Sequence, residues 1–352
     1  VIGAGASAVQ VIPHVAKDAQ ELVVFQRTAN WASPLFNAPI TDAEQPALKA
    51  SYPEIFKACD STSGGFVHQF DPRSIYDVTD EERNALFEKL YKEKGFSIWL
   101  SNFPQIMTDM KANKLLSDFM ANKIRERVDD PAIADKLVPS AHGFGQRRVP
   151  METHYYEAYN QDNVQLVDLN ETPIERITAT GIKTTAEEFD FDLIIYATGF
   201  DAGTGAISRI DVRGVNGESI KDKWAKELRT YMGLQVEGYP NMFIHIGPHA
   251  AFCNIPRCAQ VSVDWVTDLI EHMRKEKLAS VEATEAAEIG WTEHAVEEAN
   301  KTLLSKTNSW IMGDNVAGKP RALLLYAGPL PQFRQRMDDC AANGYEGFQF
   351  TD

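Results

Sequence analysis

Val1-Ile-Gly-Ala-Gly-Ala-Ser-Ala-Val-Gln10 is the stretch from which the fold of this chain can be predicted. It has the form of a strand end, the spacing G-x-G-x-x-A and the first turn of a helix. In this pattern Gly3 permits a tight turn, Gly5 lets backbone approach a pyrophosphate, and Ala8 packs the helix on the strand. The helix N-terminus then receives the phosphate charge. The stretch therefore predicts the opening of a dinucleotide-binding unit.

The residues that follow complete a β-α-β unit. Val9, Val11, Ile12 and Val15 form one apolar helix face, and residues 21–27 are an extended apolar run. A first strand of this fold has about five to six residues, yet only two residues precede the first glycine and the chain lacks an initial Met. We therefore expect a fragment of a longer protein, with an N-terminal part of unknown length missing.

The end of the second predicted strand indicates which dinucleotide is bound. A site for NAD usually has Asp or Glu about 20 residues after the glycines, to bind the ribose 2′-hydroxyl. Here the sequence is Phe25-Gln-Arg-Thr28, with a cation and a hydroxyl but no carboxylate. A guanidinium is suited to a 2′-phosphate. Arg27 and Thr28 therefore favour NADP(H) over NAD(H), and the alternative is an arginine on a solvated loop.

Composition limits the class of protein. The 352 residues suggest two domains, and 44% hydrophobic with 24% charged residues is ordinary for a soluble enzyme. The net charge of −15 argues against a general nucleic-acid surface. No apolar run is long enough for a membrane span. The four cysteines are widely spaced without a C-x-x-C pair, so we expect reduced thiols in a cytoplasmic protein and no metal site.

The pattern along the chain predicts an α/β protein. Residues 35–145 read as a mainly helical insertion, with N-cap chemistry in Thr79-Asp-Glu-Glu82. Long helices are expected at about 256–277 and 284–304. The predicted strands after the insertion are 164–169, 174–177, 181–184, 191–196 and 239–246, the last two as fully buried strands.

Two of these strands end in glycine-containing turns. Thr198, Gly199 and Asp201 follow the strand 191–196, and Gly247 closes the strand 239–246. Ligands of open α/β folds bind at the carboxyl ends of strands, so these turns suggest a second ligand. Ordinary strand-to-loop turns are the alternative.

Several collinear motifs resemble the Baeyer–Villiger monooxygenases, flavoproteins that use FAD and NADPH. The resemblance covers essentially the whole chain, from the second glycine fingerprint of the family to its C-terminus, and the first, FAD-binding fingerprint is absent. The motifs are Val1–Gln10, Val24-Phe-Gln-Arg-Thr-Ala-Asn30, Ala197–Asp201, Asn308-Ser-Trp-Ile-Met-Gly313 and Gly318-Lys-Pro-Arg321.

The resemblance implies roles for particular residues. Arg148, in Gly143-Phe-Gly-Gln-Arg-Arg-Val-Pro150, matches the arginine that faces the flavin and stabilises an anionic peroxyflavin; a fixed cation suits that charge. Arg147, where the family commonly has Lys, is expected to share the 2′-phosphate. Trp310 lies in a loop resembling the segment that closes over nicotinamide, although Asp314 and Ala317 replace a frequent Ala and Pro. The cofactor-binding residues expected are Gly3, Ala4, Gly5, Ala6, Ser7, Ala8, Gln10, Arg27, Thr28, Arg147, Thr198, Gly199, Asp201, Gly247, Asn254, Ile255 and Trp310.

The implied architecture is a Rossmann-type NADP-binding domain, 1–197, with its helical insertion, followed by the C-terminal part of an FAD-binding domain, 198–352. The implied reaction inserts one oxygen atom of O2 beside a ketone carbonyl, although the fragment alone is expected to be inactive. The alternatives are a flavin monooxygenase acting on nitrogen or sulfur, and a non-catalytic NADP-binding module. A short-chain dehydrogenase is disfavoured because no tyrosine has Lys four residues later. The ketone and the oligomeric state cannot be predicted.

Overall fold

The computed structural model describes residues 1–352, which form two compact units. The first unit comprises 1–38 and 70–199, and the second comprises 39–69 and 200–352. None of its helices has the length and apolarity needed to cross a bilayer. The helices are α1 Ala6–Asp18, α2 Gln45–Ala50, α3 Tyr52–Ser61, α4 Asp80–Tyr91, α5 Ser97–Leu100, α6 Met110–Arg127, α7 Pro131–Leu137, α8 Ile220–Lys226, α9 Ile255–Glu276, α10 Glu285–Asn300 and α11 Leu330–Ala342. The strands are β1 Leu22–Gln26, β2 Ser33–Pro34, β3 Met151–Glu152, β4 Val164–Asp168, β5 Ile174–Ile177, β6 Gly181–Thr184, β7 Glu188–Asp190, β8 Ser280–Ala283 and β9 Phe348–Thr351.

A parallel arrangement at the start of the chain forms the centre of the first unit. Ile2 bridges Phe25 of β1 on one side and Tyr196 on the other, and β1 pairs in parallel with β4. Gly3 has a φ of +114°, and a Cβ there would overlap the carbonyl oxygen of Ala197. Only glycine fits this turn without strain. The β-α-β unit predicted from the first 27 residues is confirmed.

The helix α1 packs on this arrangement through a slightly different face from the predicted one. Val9 and Ile12 are fully buried as expected, whereas Val11 and Val15 are half-buried. Ala8 and Ala16 complete the buried stripe. Small residues at these points let the helix approach the strands closely, which is the role expected of Ala8.

The predicted strands 174–177 and 181–184 are confirmed as β5 and β6, and β7, which was not predicted, completes an antiparallel three-stranded sheet with them. The prediction of a fully buried strand at 191–196 is wrong. Only Tyr196 makes a bridge, and the side chains of Leu193 and Tyr196 are 72% and 62% exposed. Phe191 does pack edge-on against Phe25, at 6.0 Å between ring centroids. Residues 191–196 are therefore extended, with Phe191 and Ile194 packed on the core around Phe25. The opposite face, with Leu193 and Tyr196, is not covered by other residues of this unit.

The helical part of the first unit positions the loop that contains Arg147. Thr79 and Glu82 form the predicted capping box at the start of α4. Asn113 of α6 is buried, and its side-chain amide donates hydrogen bonds to the carbonyls of Ile106 and Phe144, at 2.8 and 2.7 Å. This links α6 directly to residues 142–148.

Residues 39–69, placed in the helical insertion by the sequence analysis, belong to the second unit. The backbone amide of Asn254 donates to Gly64 O at 2.8 Å, and that of Leu330 to Ser63 O at 2.9 Å. Arg257 also pairs with Asp60. These contacts with the starts of α9 and α11 hold the segment, and an apolar pattern within 39–69 could not have indicated them.

The second unit has a core between α9, α10 and α11, capped by the antiparallel pair β8-β9. Both long helices predicted here are confirmed, and Trp265, Leu269 and Met273 of α9 are buried. The buried strand predicted at 239–246 is wrong, because its backbone amides bond to two separate segments, a loop and β8, and no strand pairs along it. Ile244 N donates to Leu234 O, and Asn241 N to Val281 O.

The four cysteines are not all free. Cys253 and Cys258 form a disulfide across the start of α9, whereas Cys59 and Cys340 are free and buried. The expectation of four reduced thiols is therefore wrong for this pair. Cys253 directly precedes Asn254, the N-cap residue of α9, and Cys258 lies in the first turn, so their Cα atoms are 6.5 Å apart.

Candidate functional site

The start of α1 has the features of an anion cradle. Gly5 is the N-cap residue with an extended backbone, and the first amide to bond inside the helix is that of Val9, to Gly5 O at 3.0 Å. The amides before it have no intrahelical acceptor. No acidic side chain lies in this first turn. Of the remaining cradle residues, Ala4 and Ala8 are buried, Ala6 is half-buried, and Ser7 and Gln10 are exposed.

Gly3 and Gly5 differ in what surrounds them. Gly3 lies against the backbone at Ala197 and Thr198, so its missing side chain serves close packing within the unit. Around Gly5, a Cβ would meet no atom within 4 Å. Nothing in the protein therefore requires glycine at position 5, and the open space lies at the helix N-terminus, where an anion is favoured.

Two arginines approach each other beside this cradle. Arg27 follows β1 and is exposed, and Arg147 comes from the loop 142–148 and is half-buried. Burial and the positive charge of Arg27 lower the pKa of Arg147. The Nε atom of Arg147 is buried without a hydrogen-bond partner. Neither arginine has a carboxylate partner among the ion pairs of the structure, so this cluster carries uncompensated positive charge.

Trp31 fixes the loop of Arg27 against the loop of Arg147. The indole Nε1 of Trp31 donates a hydrogen bond to His142 O at 2.9 Å. Its ring also packs edge-on against Phe144, with 6.1 Å between centroids. Both contacts are buried, so the two loops are held in a fixed relation and the arginines cannot separate freely.

Arg148 and the strand end 197–199 complete the predicted residues of the first unit. Arg148 is exposed and forms no ion pair. Thr198 and Gly199 are also exposed, directly after Tyr196, which pairs with Ile2. Thr28 is half-buried beside Arg27. The structure thus brings the cradle, the strand end 197–199 and the pair Arg27 and Arg147 into one unit.

In the second unit, the predicted residue Asp201 contacts the loop that contains Trp310. Asp201 accepts a hydrogen bond from Lys319 Nζ at 2.5 Å, and the same Nζ contacts Thr204 Oγ1 at 2.7 Å. Asn315 Nδ2 donates to Phe200 O at 2.7 Å. The side chain of Asp201 is thus used to fix the loop, which the sequence did not indicate.

Asp314, one of the two residues of this loop that depart from the family pattern, gives the loop a second fixed point. Asp314 pairs with Arg321, which also donates to Asn308 Oδ1 at 3.0 Å. Trp310 is half-buried and packs edge-on against Phe252 at 6.0 Å. The ion pair gives the loop a defined path although the frequent proline is replaced by Ala317.

Gly247, Asn254 and Ile255 have structural roles that are visible in the second unit. A Cβ at Gly247 would lie 2.7 Å from Gly233 O, so glycine is needed for close packing. The Nδ2 atom of Asn254 donates to Gly65 O at 3.1 Å, and Ile255 is exposed at the first turn of α9.

The chain is similar over almost its whole length to known monooxygenases. No family model matches the chain. The chain is 45% identical over 358 residues to 2-oxo-Δ3-4,5,5-trimethylcyclopentenylacetyl-CoA monooxygenase of Pseudomonas putida, covering 100% of the chain and 65% of that protein. It is 35% identical over 347 residues to a Baeyer–Villiger monooxygenase of Pseudooceanicola batsensis, covering 98% and 63%. Phenazine N-monooxygenase of Lysobacter antibioticus is also 35% identical, over 350 residues, covering 99% and 64%.

Solved structures agree in fold over the whole chain. An FAD-bound crystal form of OTEMO superimposes with a TM-score of 0.93 at 44% identity, covering 99% of the chain and 67% of that protein. The chain belongs to the Baeyer–Villiger monooxygenase family. Cyclohexanone monooxygenase from Rhodococcus sp. Phi1 bound to NADP+ superimposes with a TM-score of 0.96 at 34% identity, covering 100% and 66%. The chain thus spans slightly less than two thirds of the length of the curated relatives it matches.

Three residues that fix the loops of the site in this Baeyer–Villiger monooxygenase were not predicted from the sequence. Trp31 and Lys319 lie inside or beside quoted motifs, but a motif does not show which side chains fix its loop. His142 directly precedes the quoted segment 143–150 and is buried in the structure. Its position beside the two-arginine segment was the available signal.

Proposed function

We propose that the chain is the NADP(H)-binding domain, residues 1–197, and the C-terminal part of the FAD-binding domain, 198–352, of a ketone-oxygenating flavin monooxygenase. In this reaction NADPH supplies electrons, and one atom of O2 is inserted beside a ketone carbonyl to give an ester or lactone. The observation that carries the proposal is the uncompensated pair Arg27 and Arg147 beside the open cradle at Gly5, in a member of this family.

The residues present fit NADP(H). The cradle offers free amides and space for a pyrophosphate, and Arg27 with Arg147 and the hydroxyl of Thr28 suits a phosphate dianion. The orphaned Nε of Arg147 is a donor that a phosphate oxygen would satisfy. The residues present fit FAD only in part. They contain one glycine fingerprint, at residues 3–8, and NADP(H) would occupy it.

The proposal gives each of these site residues a specific role. Arg27, Thr28 and Arg147 bind the 2′-phosphate and position the nucleotide. Arg148 stabilises negative charge that develops during oxygen transfer, which an exposed guanidinium without a carboxylate partner is free to do. Bound FAD supplies the redox chemistry with O2. Trp310 limits water at the reacting atoms, with its loop fixed through Lys319 and Asp201.

The direct test is product formation by the FAD-loaded full-length enzyme, because the 352-residue fragment alone is expected to be inactive. With NADPH and 18O2, we expect a cyclic or aliphatic ketone to be converted to an ester or lactone containing one labelled oxygen atom. A flavin monooxygenase acting on nitrogen is the second candidate, since one relative is a phenazine N-monooxygenase. Conversion of phenazine to its N-oxide without reaction of ketones would favour that candidate. A colourless full-length protein that binds NADPH and retains no flavin would indicate a non-catalytic module.

Further partners follow from this proposal and from composition. We infer a small ketone and O2 as reactants, and no nucleic-acid partner, because the net charge is −15. We place the enzyme in the cytoplasm without a membrane partner, where NADPH is available.

Arg27→Ala is expected to convert a nucleotide site selective for NADPH into a poorly selective one. Each charge-assisted hydrogen bond to the 2′-phosphate contributes about 1.5–3 kcal/mol. The dissociation constant for NADPH should rise roughly 10- to 100-fold, and that for NADH should change little. Fluorescence titration of the purified chain with each nucleotide measures both values. Arg176→Ala, which removes an exposed arginine of β5, is the matched control. Equal losses for NADPH and NADH would contradict the assignment of Arg27.

A further inference from the structure

The segment that contains both site arginines, residues 144–152, is attached to helix α6 at its two ends. At its start, Asn113 of α6 donates a hydrogen bond to Phe144 O at 2.7 Å. At its end, Arg127, the last residue of α6, donates from Nη1 to the carboxylate of Glu152 at 2.8 Å. The two arginines lie between these attachments, so α6 determines the path of the backbone that carries them.

The ion pair between Arg127 and Glu152 is largely removed from solvent. Glu152 is buried, and the Arg127 side chain is 18% exposed. The other carboxylate oxygen of Glu152 accepts a hydrogen bond from Tyr155 N at 2.9 Å. The same guanidinium donates to both oxygens of Glu157, at 2.7 and 2.8 Å. Because charge-assisted bonds of this kind are directional, they fix the position of Glu152 and with it the strand β3.

The strand β3 is paired with the backbone that follows the third site arginine, Arg27. Its partner is β2, and the two strands run parallel. Ser33 N donates to Pro150 O at 3.1 Å, and Leu35 N donates to Glu152 O at 2.9 Å. The segment after Arg27 is therefore hydrogen-bonded directly to the segment that the ion pair holds.

Arg127 also contacts a residue that holds the Arg27 side of this ladder. Its guanidinium carbon lies 5.1 Å from the centroid of the Tyr156 ring. The hydroxyl of Tyr156, which is buried, accepts a hydrogen bond from Ala32 N at 3.2 Å. One guanidinium thus contacts two side chains, one on the two-arginine segment and one bonded to the segment that follows Arg27.

We propose that Arg127 is a positioning residue of the 2′-phosphate site. Through Glu152 and Tyr156 it keeps the two arginine-bearing segments at a fixed separation. The proposal rests on the proposed NADP(H) function, in which Arg27 and Arg147 bind one phosphate. Two guanidinium groups can donate to the same phosphate only while the segments that carry them keep their spacing. The pyrophosphate cradle at the start of α1 takes no part in these contacts, so losing them should affect the 2′-phosphate most.

Removing the whole ion pair tests this without leaving a buried charge alone. Arg127→Ala would leave the Glu152 carboxylate buried and unpaired, which is strongly destabilising. Arg127→Met combined with Glu152→Gln removes both charges and keeps side chains of similar length, and Glu157 is partly exposed to solvent. In the FAD-loaded full-length enzyme, kcat/KM for NADPH should fall roughly tenfold through KM, and that for NADH should change little.

The ester yield gives a second readout, because Arg148 lies on the same segment. Less ester should form per NADPH oxidised, since a catalytic group displaced by about 1 Å loses much of its effect. Arg125→Met combined with Asp135→Asn is the matched control. It removes an ion pair of the same kind from α6, at 2.9 Å, whose acid lies outside both segments. The control should keep the wild-type preference for NADPH and the wild-type ester yield.

Tyr156→Phe changes the other attachment and is a milder variant. It keeps the ring beside Arg127 and removes the hydrogen bond to Ala32 N. Loss of one hydrogen bond, at about 1 kcal/mol, should lower the preference for NADPH over NADH roughly fivefold. This variant decides the matter if the double variant at Arg127 and Glu152 does not fold.

The outcomes separate the two proposals. If wild-type enzyme shows no preference for NADPH, and Arg147→Ala changes the kinetics with neither nucleotide, the NADP(H) assignment itself is wrong. If the wild type prefers NADPH through Arg147 but a folded double variant keeps that preference, the positioning role of Arg127 is wrong. An equal loss for NADPH and NADH would also overturn it, because the ion pair would then only stabilise the fold. Wild-type preference in Tyr156→Phe would count against it in the same way.

Discussion

Arg148→Ala is expected to lower the rate of ester formation roughly 10²- to 10³-fold, by analogy with the loss of one oxyanion-hole donor at about 3–4 kcal/mol. NADPH should still be bound and oxidised, because the cradle and the pair Arg27 and Arg147 remain. Electrons would then pass to O2 without reaching the ketone, and hydrogen peroxide would accumulate in place of ester. Parallel assays of NADPH consumption, peroxide and ester in the FAD-loaded full-length enzyme separate these effects.

The loss should not come from unfolding. Arg148 is exposed and has no carboxylate partner, so its removal leaves no buried charge unpaired. Arg127 is the contrasting case, since it pairs with Glu152, which is 2% exposed, and a truncation there would leave that carboxylate buried alone. An unchanged melting temperature of Arg148→Ala is therefore part of the expectation.

Arg147→Ala is the informative neighbour for this experiment. It should raise the KM for NADPH while leaving most of the ester formed per NADPH oxidised, because its task is nucleotide binding. Arg176→Ala again controls for the loss of an exposed charge. Wild-type ester yield in Arg148→Ala would show that Arg148 has no part in oxygen transfer, and the ketone-oxygenase proposal would lose its residue-level support.

The parts of the fold that could be predicted are those whose information is local. The β-α-β unit follows from two glycines, one small residue and an apolar helix face within 27 residues. The capping box at Thr79 and Glu82 is likewise a short-range signal. The helix α9 was predicted from its apolar face, and α10 was predicted as a second helix after it.

The two wrong strands show where this approach ends. An apolar run such as 239–246 predicts burial, but a strand also needs a neighbouring backbone at the right register. In the structure Ile244 N bonds to the loop at Leu234 and Asn241 N to Val281 of β8, so no single partner strand runs along the segment. At 191–196 one face packs on Phe25, while Leu193 remains exposed. Neither the partner nor the covering layer is encoded in the run itself.

The candidate site shows the same limit at the level of side chains. Arg27 and Arg147 could be predicted because each lies in a recognisable motif. The contact of Trp31 with His142 spans 111 residues of sequence, and no local pattern indicates it. The use of Asp201 by Lys319 similarly joins positions that only the folded chain brings together.

Gly5 tests the cradle independently of the arginines, and Gly3 provides its structural counterpart. A side chain at Gly5 would meet no protein atom within 4 Å, and its backbone is extended, so Gly5→Val should fold. The branched side chain would instead occupy the space that a pyrophosphate needs. Loss of two charge-assisted hydrogen bonds to backbone amides corresponds to at least a roughly 100-fold weaker affinity.

Because the pyrophosphate is common to both nucleotides, Gly5→Val should weaken NADPH and NADH alike, unlike Arg27→Ala. An unfavourable N-cap residue costs only about 1 kcal/mol, so the melting temperature should fall by a few degrees at most. Gly3→Ala should behave in the opposite way. Its φ of +114° and the overlap with Ala197 O should destabilise the unit by at least about 3 kcal/mol. Thermal unfolding and nucleotide titration of both variants measure the two effects. A folded Gly5→Val variant that binds NADPH with wild-type affinity would show that the helix N-terminus does not hold the pyrophosphate.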